Sequence, residues 1–390
     1  MNAFSKAQTV AEGSNTYGIV NQHPVKNATE SDERNPAFRV GVSEDRNKRW
    51  RRTMEDSHAF VYNFGGVFGQ GFFGIFDGHA GKHAAEWCGK HFHEYLSKAL
   101  ILNPGKLVPD VLNSTFHDVD RMLSQLASAQ GTSSGCTAVT AFLRLEDEDG
   151  RPNSNAQESV KNKPGAEPPV LAADDSGIKK ASGSIFSGLA RRIRSTSSDS
   201  VADEEASSQR SREICERTKE DTNPGIISHE APDGLVDIHG KGIRRVLYTA
   251  NVGDARAVLC RAGRAIRLTY DHKGSDAQEA KRITDAGGFV MNNRVNGVLA
   301  VTRSLGDSSM KEFVVGSPYT TETTLSSEDT FLIVACDGLW DVVDDQEAVD
   351  LIQQVYDPQR ASEILLQHAL SNFSTDNTSV MVVRFSAAAG

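Results

Sequence analysis

From about Glu146 to Gly242 this 390-residue chain turns to Ser, Asp, Glu, Lys, Arg, Pro and Gly with few large apolar side chains. Such a stretch cannot bury enough apolar surface to offset the entropy of ordering it. On both sides of it the apolar patterning is strong. Any core must therefore be assembled from two blocks joined by a long excursion. That predicts one domain over 36–388, interrupted by a disordered insertion at about 146–242, in preference to two domains. Residues 1–35 are polar and are expected to be flexible.

Within the first block, "FRVGVS", "HAFVYNF" and "GFFGIF" read as strands. From Lys82 to Leu96, Ala84, Trp87, Cys88, His91, Phe92 and Tyr95 recur at three- and four-residue steps, which predicts a helix with one apolar face. A second helix is predicted over Pro109 to Leu126, followed by the strand "CTAVTAFLRL". After the insertion, "RRVLYTANVGDARAVLCRAG" reads as two strands around a Gly253-Asp254 turn. Then come a helix in "SDAQEAKRITDAGG", the strand "TFLIVACD", helices near Gln346–Val355 and Arg360–Leu370, and a last strand, "SVMVVRF". Strands cluster and helices come in pairs, so the expected class is α+β with antiparallel sheets, not a doubly wound parallel sheet.

A net charge of −10 offers no general attraction for nucleic acid or an anionic membrane. No apolar run approaches the ~20 residues of a membrane span, and the N-terminus does not read as a secretory signal. A soluble intracellular protein is expected. The five cysteines are scattered, odd in number and without a C-x-x-C pair, which fits reduced thiols more than disulfides or structural zinc.

Two apolar runs far apart end alike. "FFGIFDGHAG" stops at Asp77-Gly78-His79, and "FLIVACDGLWDV" stops at Asp337-Gly338. Further acids stand at predicted strand ends or turns: Glu55-Asp56 in "WRRTMEDSH", Asp254, and Asp376 in "STDNTSV". Each alone is explained by turn chemistry. Together, at the ends of neighbouring strands, they would repel one another unless a cation neutralised them. Oxygen-only donors suit Mg²⁺ or Mn²⁺ better than Zn²⁺. Glycine after Asp77 would let the backbone come close, so that its carbonyl could join the shell. Arg51, four residues before Glu55, is suited to bidentate capture of a phosphate, or is a surface ion pair. His79 could act as an acid near neutral pH. His79 and His83 stand i, i+4, but no H-E-x-x-H motif supports zinc. Gly69, Gly71 and Gly74 match G-x-G-x-x-G, yet they run into a strand and read as part of a hairpin.

Taken in order, "RRTMED", "FFGIFDGHAG", "SGCTAV", "ANVGDAR", "LTYDHKGSD", "RITDAGGFV", "RVNGVLAVTRSLGD", "ACDGLWDV" and "TDNTSVMVV" resemble the type 2C, metal-dependent Ser/Thr protein phosphatases (PPM family). The wording is most similar to fungal members that damp stress-activated MAP kinase pathways. The resemblance implies an α-β-β-α four-layer sandwich of two antiparallel sheets flanked by helix pairs. It implies hydrolysis of phosphoserine and phosphothreonine by a water bridging two Mg²⁺ or Mn²⁺ ions, with a weaker third ion. Asp77 would bridge both metals and Gly78 would add its carbonyl. Asp337 and Asp376 would complete one shell, Glu55 and Asp56 would serve the other side, and Asp254 would belong to the third site. Arg51 would bind substrate phosphate and His79 would protonate the leaving alkoxide. Arg303 would bind substrate phosphate or belong to the flap, and the stretch from about Lys273 to Pro318 would form that flap beside the cleft. One departure is Gly274, where many members have proline, which is expected to loosen the start of the flap. The implied partners are phosphorylated proteins, among them MAP kinases or their regulators, with no nucleic acid and no membrane. A monomer in cytoplasm or nucleus is expected. The alternative is a catalytically silent module that docks phosphoproteins. A cysteine phosphatase is excluded, because no cysteine has arginine six residues later. "ARRIRSTSSDS", Ala190–Ser200, reads as a basophilic kinase site, a docking segment or a spacer.

Overall fold

In the computed structural model the chain runs, in order, through β1 (Gly18–Ile19), β2 (Phe38–Asp45), β3 (Ser57–Tyr62), β4 (Gly71–Phe76), β5 (Gly78–His79), α1 (His83–Leu102), α2 (Val108–Gln130), β6 (Gly135–Cys136), β7 (Ala138–Glu146) and β8 (Arg244–Val252). It continues through β9 (Arg256–Arg261), β10 (Arg264–Arg267), α3 (Ala277–Asp285), β11 (Val290–Met291), β12 (Arg294–Val295), β13 (Leu305–Gly306), β14 (Tyr319–Thr324), β15 (Asp329–Ala335), α4 (Asp337–Trp340), α5 (Asp345–Ile352), α6 (Pro358–Ser371) and β16 (Thr378–Phe385). The structure describes residues 18–19, 37–152 and 242–386, all within one folded unit. Most of 1–35 and of the expected insertion, with the Ala190–Ser200 segment, lies outside the described residues.

Two sheets carry the architecture. One has the order β1-β3-β4-β7-β8-β14 and the other β10-β9-β15-β16-β2. Pairings within both are antiparallel, except that β1 lies parallel to β3. The α+β class is therefore observed.

The period-2 alternation explains the layering. In β4, Phe72 and Phe76 pack with Ala84, Cys88, Phe92 and Leu96 of α1 and Phe116 of α2, whereas Phe73 and Ile75 face the second sheet. In β15, Leu332 and Val334 face the first sheet, whereas Phe331, Ile333 and Ala335 pack with Leu339, Val349 and Leu365 of α4 to α6. Strands covered on both faces read as continuous apolar runs, as "GFFGIF" and "FLIVA" do. The second helical face carries the short α4 besides the expected pair. Helix α1 runs on past Leu96 to Leu102, and α2 ends at Gly131 in the left-handed conformation (φ 66°).

One sequence expectation needs correction. Gly253-Asp254 is not a hairpin turn, because β8 belongs to the first sheet and β9 to the second. The link carries the chain across the sandwich. Both flanking strands are buried on both faces, so their pattern does not reveal which neighbours they take. Two small sheets, β11-β12 and β13-β6-β5, were also not legible; strands of two residues have no period to read.

Candidate metal centre

Strand register places the acids. In the first sheet Ser57 stands opposite Phe76, Ile75 opposite Val139, and Ala138 opposite Val252. Asp56 before β3, Asp77 after β4 and Asp254 after β8 therefore leave the sheet at the same end. In the second sheet Ala335 stands opposite both Arg256 and Val380. This brings Asp254 before β9, Asp337 after β15 and Asp376 before β16 to one end as well. The Asp254-Ala255 link joins the two ends.

The five carboxylates feel one another. Asp77 has its pKa raised well above the ordinary carboxylate value by burial, then by the charges of Asp56, Asp337, Asp254 and Asp376. Asp337 is raised likewise, by burial and by Asp254, Asp341, Asp376 and Asp56. Burial pushes Asp56 and Asp254 up to about 6. Asp56 Oδ1, Asp254 Oδ1 and Asp337 Oδ1 are buried with no hydrogen-bond partner among the described residues. A buried anionic oxygen without a donor is costly, and a hard divalent cation is the natural partner for several of them. The donor set thus fits Mg²⁺ or Mn²⁺.

The glycines of the two Asp-Gly pairs have a packing cause. A Cβ on Gly78 would lie 2.3 Å from the Glu55 carbonyl oxygen, and one on Gly338 would lie 2.0 Å from that of Asn377. Each glycine lets a neighbouring segment press its backbone against the acid-bearing turn. Gly338→Ala should therefore displace Asp337 from Asp376 and cost at least about 2 kcal/mol, read as a lowered melting temperature. An unchanged melt would show that this contact relaxes freely.

The other candidates separate. Glu55 accepts hydrogen bonds from Thr53 Oγ1 (2.9 Å) and the Gly81 amide (3.1 Å). Arg51 pairs with Asp376 Oδ2 and donates to the Thr375 carbonyl (3.3 Å), with its side chain half exposed at the rim. His79 Nε2 lies 2.6 Å from Asp307 Oδ2. Arg303 does not join the acids. Its Nη2 and Nε hold Glu279 of α3 (2.5 and 3.1 Å), and its Nη1 donates to the Ser317 carbonyl (3.0 Å). Burial disfavours the Glu279 anion, but Arg303, Arg282 and Thr302 more than offset it and bring its pKa to about 2. Of the two roles expected for Arg303, substrate phosphate or flap, neither is tested by these bonds, which tie it to α3 and to Ser317. Gly274 lies against a neighbouring turn. A Cβ there would lie 2.3 Å from the Asn293 carbonyl oxygen, so the glycine admits the β11-β12 turn.

Four site residues escaped the sequence reading. Asp307 reaches His79 only because β13 and β5 both pair with β6. Cys336 Sγ lies 3.3 Å from Asp56 Oδ2, and its ligating atom clusters with those of Asp56 and Asp77 within 4.8 Å. Burial and the charges of Asp56, Asp77 and Asp337 raise its pKa well above the ordinary thiol value, which favours the neutral thiol. Asn377 accepts the Glu55 amide (2.8 Å) and donates to the Arg46 and Thr53 carbonyls (2.8 and 3.0 Å), tying the Arg51 loop to β16. Lys273 stands against Asp254 and Asp341.

A protein-family model described as Protein phosphatase 2C matches residues 40–147 and 235–378, which is more than half of the chain. The chain belongs to the protein phosphatase 2C family. It is 39% identical over 346 residues to Protein phosphatase 2C homolog 1 of Saccharomyces cerevisiae, covering 89% of this chain and 93% of that one. It is 37% identical over 364 residues to Protein phosphatase 2C homolog 1 of Schizosaccharomyces pombe, covering 93% and 77%. The fold is like that of serine-threonine phosphatase 2C from Toxoplasma gondii, with a TM-score of 0.57 at 17% identity over 90% of this chain and 96% of that one. Within the protein phosphatase 2C match lie Arg51, Asp77, His79, Asp254, Asp337 and Asp376 alike.

Proposed function

We propose that this protein phosphatase 2C hydrolyses phosphoserine and phosphothreonine in proteins with Mg²⁺ or Mn²⁺ held by Asp77, Asp56, Asp337, Asp376 and Asp254. The observation that supports this most is the convergence of five carboxylates, three of them carrying a buried oxygen with no donor among the described residues. When bound, the ions supply hydroxide near neutral pH and neutralise charge on the transferring phosphoryl group. The chain's own residues do the rest. Arg51, half exposed and able to exchange Asp376 for a dianion, takes the substrate phosphate. His79 gives a proton to the departing seryl or threonyl oxygen. Asp307 holds His79 Nε2 and fixes the ring, so that Nδ1 is the nitrogen left for the leaving group. Opposition to kinase signalling, in particular to stress-activated MAP kinases, is part of the same proposal and draws on the resemblance to fungal members.

The test is turnover of a phosphothreonine peptide by the full chain in EDTA, then with added Mn²⁺ or Mg²⁺. Activity should appear only with metal. Binding of the phosphopeptide without turnover under every metal condition would replace the enzyme with a silent docking module. His79→Ala should lower kcat on the peptide by about 10²-fold and act less on an aryl phosphate with a good leaving group. Asp307→Asn should show the same pattern with a smaller loss. If both substrates fall equally, the proton-donor role is wrong.

A further inference from the structure

Lys273 occupies a particular corner of the acid cluster. Its Nζ lies 3.0 Å from Asp341 Oδ1 and 3.5 Å from Asp254 Oδ2. Asp254 is buried and its Oδ1 has no donor among the described residues, whereas Asp341 is more than half exposed. Asp254 and Asp341 are the acids whose charges bear most on Asp337. The ammonium thus sits where three carboxylates meet. In the backbone, Lys273 bridges Val301, and the neighbouring His272 carbonyl accepts the Thr302 amide (3.0 Å). The His272 amide donates to the Gly253 carbonyl (2.9 Å), directly before Asp254. Lys273 therefore leads from the acid cluster into the segment that carries α3, the β11-β12 turn and a small core of Ile283, Val295 and Val314.

We propose that Lys273 is the resident cation of the Asp254–Asp341 corner and competes there with a divalent ion, so that filling this corner with metal requires its ammonium to withdraw. The inference rests on the metal reading of the cluster. An ammonium and a divalent ion cannot share Asp254 Oδ2 and Asp341 Oδ1, since like charges at that range repel strongly. By linkage, whatever holds Lys273 in place weakens the corner ion by the same factor, and the ion in turn loosens Lys273. The segment from Lys273 to Pro318 then carries a cost for the corner ion that the Asp56–Asp77 side does not share. This gives a physical reason for one cation to bind more weakly than its neighbours.

The experiment is Mn²⁺ titration of the full chain, read by calorimetry and by the electron-spin signal of free Mn²⁺, for wild type, Lys273→Met and Lys273→Arg. Lys273→Met keeps the length of the side chain and removes its charge. It should strengthen the weakest binding step by about 10- to 100-fold and leave the tighter binding unchanged. Lys273→Arg should keep the weak step near wild type, which also controls for damage to the fold. A weak step that is unchanged or weakened in Lys273→Met, with the tight binding intact, overturns the competition and nothing else. Absence of all specific Mn²⁺ binding in wild type overturns the metal reading itself, and this inference with it.

Discussion

Asp337→Ala is expected to lower turnover of a phosphothreonine peptide by about 10³-fold or more at millimolar Mn²⁺. Asp337 opens α4 just after β15, and its carboxylate stands within the field of Asp254, Asp341, Asp376 and Asp56. Like Asp77, it feels the charge of several other acids of the cluster. Its Oδ1 bonds to nothing among the described residues, so the fold does not depend on it. Removing it relieves repulsion while taking away a donor for metal. Activity should therefore vanish, while in EDTA the variant should melt no lower than wild type. The discriminating measurement is kcat across a Mn²⁺ range beside a melt of the same protein in EDTA. Activity within about tenfold of wild type, at any metal concentration, would refute the role given to this residue.

The chelated protein should lose stability as pH rises. Asp56 and Asp254 take the ordinary value of 3.8 in the unfolded chain and about 6 in the folded one. Below about pH 4 both states are protonated and neither group costs anything. Between about 4 and 6 the unfolded chain releases protons that the folded chain keeps, so folding becomes less favourable. Above about 6 the penalty is complete, at ~3 kcal/mol for each group. Asp77 and Asp337 act in the same direction. In EDTA the melting temperature should fall by roughly 10 °C between pH 4.5 and 7.5. Added Mn²⁺ should restore it, and more at pH 7.5 than at pH 5, because the ion replaces the protons. Asp77→Asn should raise the chelated melt at pH 7.5. A melt in EDTA that is flat or rises with pH would show that the acids are not forced together in the folded chain.

The acids themselves were legible in the sequence because the signal is local. A run such as "GFFGIF" alternates between two buried faces, and a carboxylate followed by glycine ends it; both facts lie within ten residues. The helices of the first layer were legible for the same reason, since Ala84, Cys88 and Phe92 repeat at helical steps. The α+β class followed from the order of these patterns.

What the text could not show is which segments meet. The Gly253-Asp254 link reads as a hairpin, yet it crosses between sheets, because strands buried on both faces carry no mark of their neighbours. The glycines after Asp77 and Asp337 read as turn residues, but their tight contacts are the carbonyls of Glu55 and Asn377, brought there by strand register. Arg303 reads as a phosphate ligand or flap residue, and only the packing of α3 commits it to Glu279. Asp307, Cys336 and Lys273 become site residues through contacts with chain 228, 280 and 19 positions away, respectively, His79, Asp56 and Asp254. The sequence by itself determined which residue types end each strand, because steric alternation and turn chemistry act over a few bonds. Tertiary structure alone decided that five of those ends meet, because the repulsion among the acids exists only once the two sheets have closed on each other.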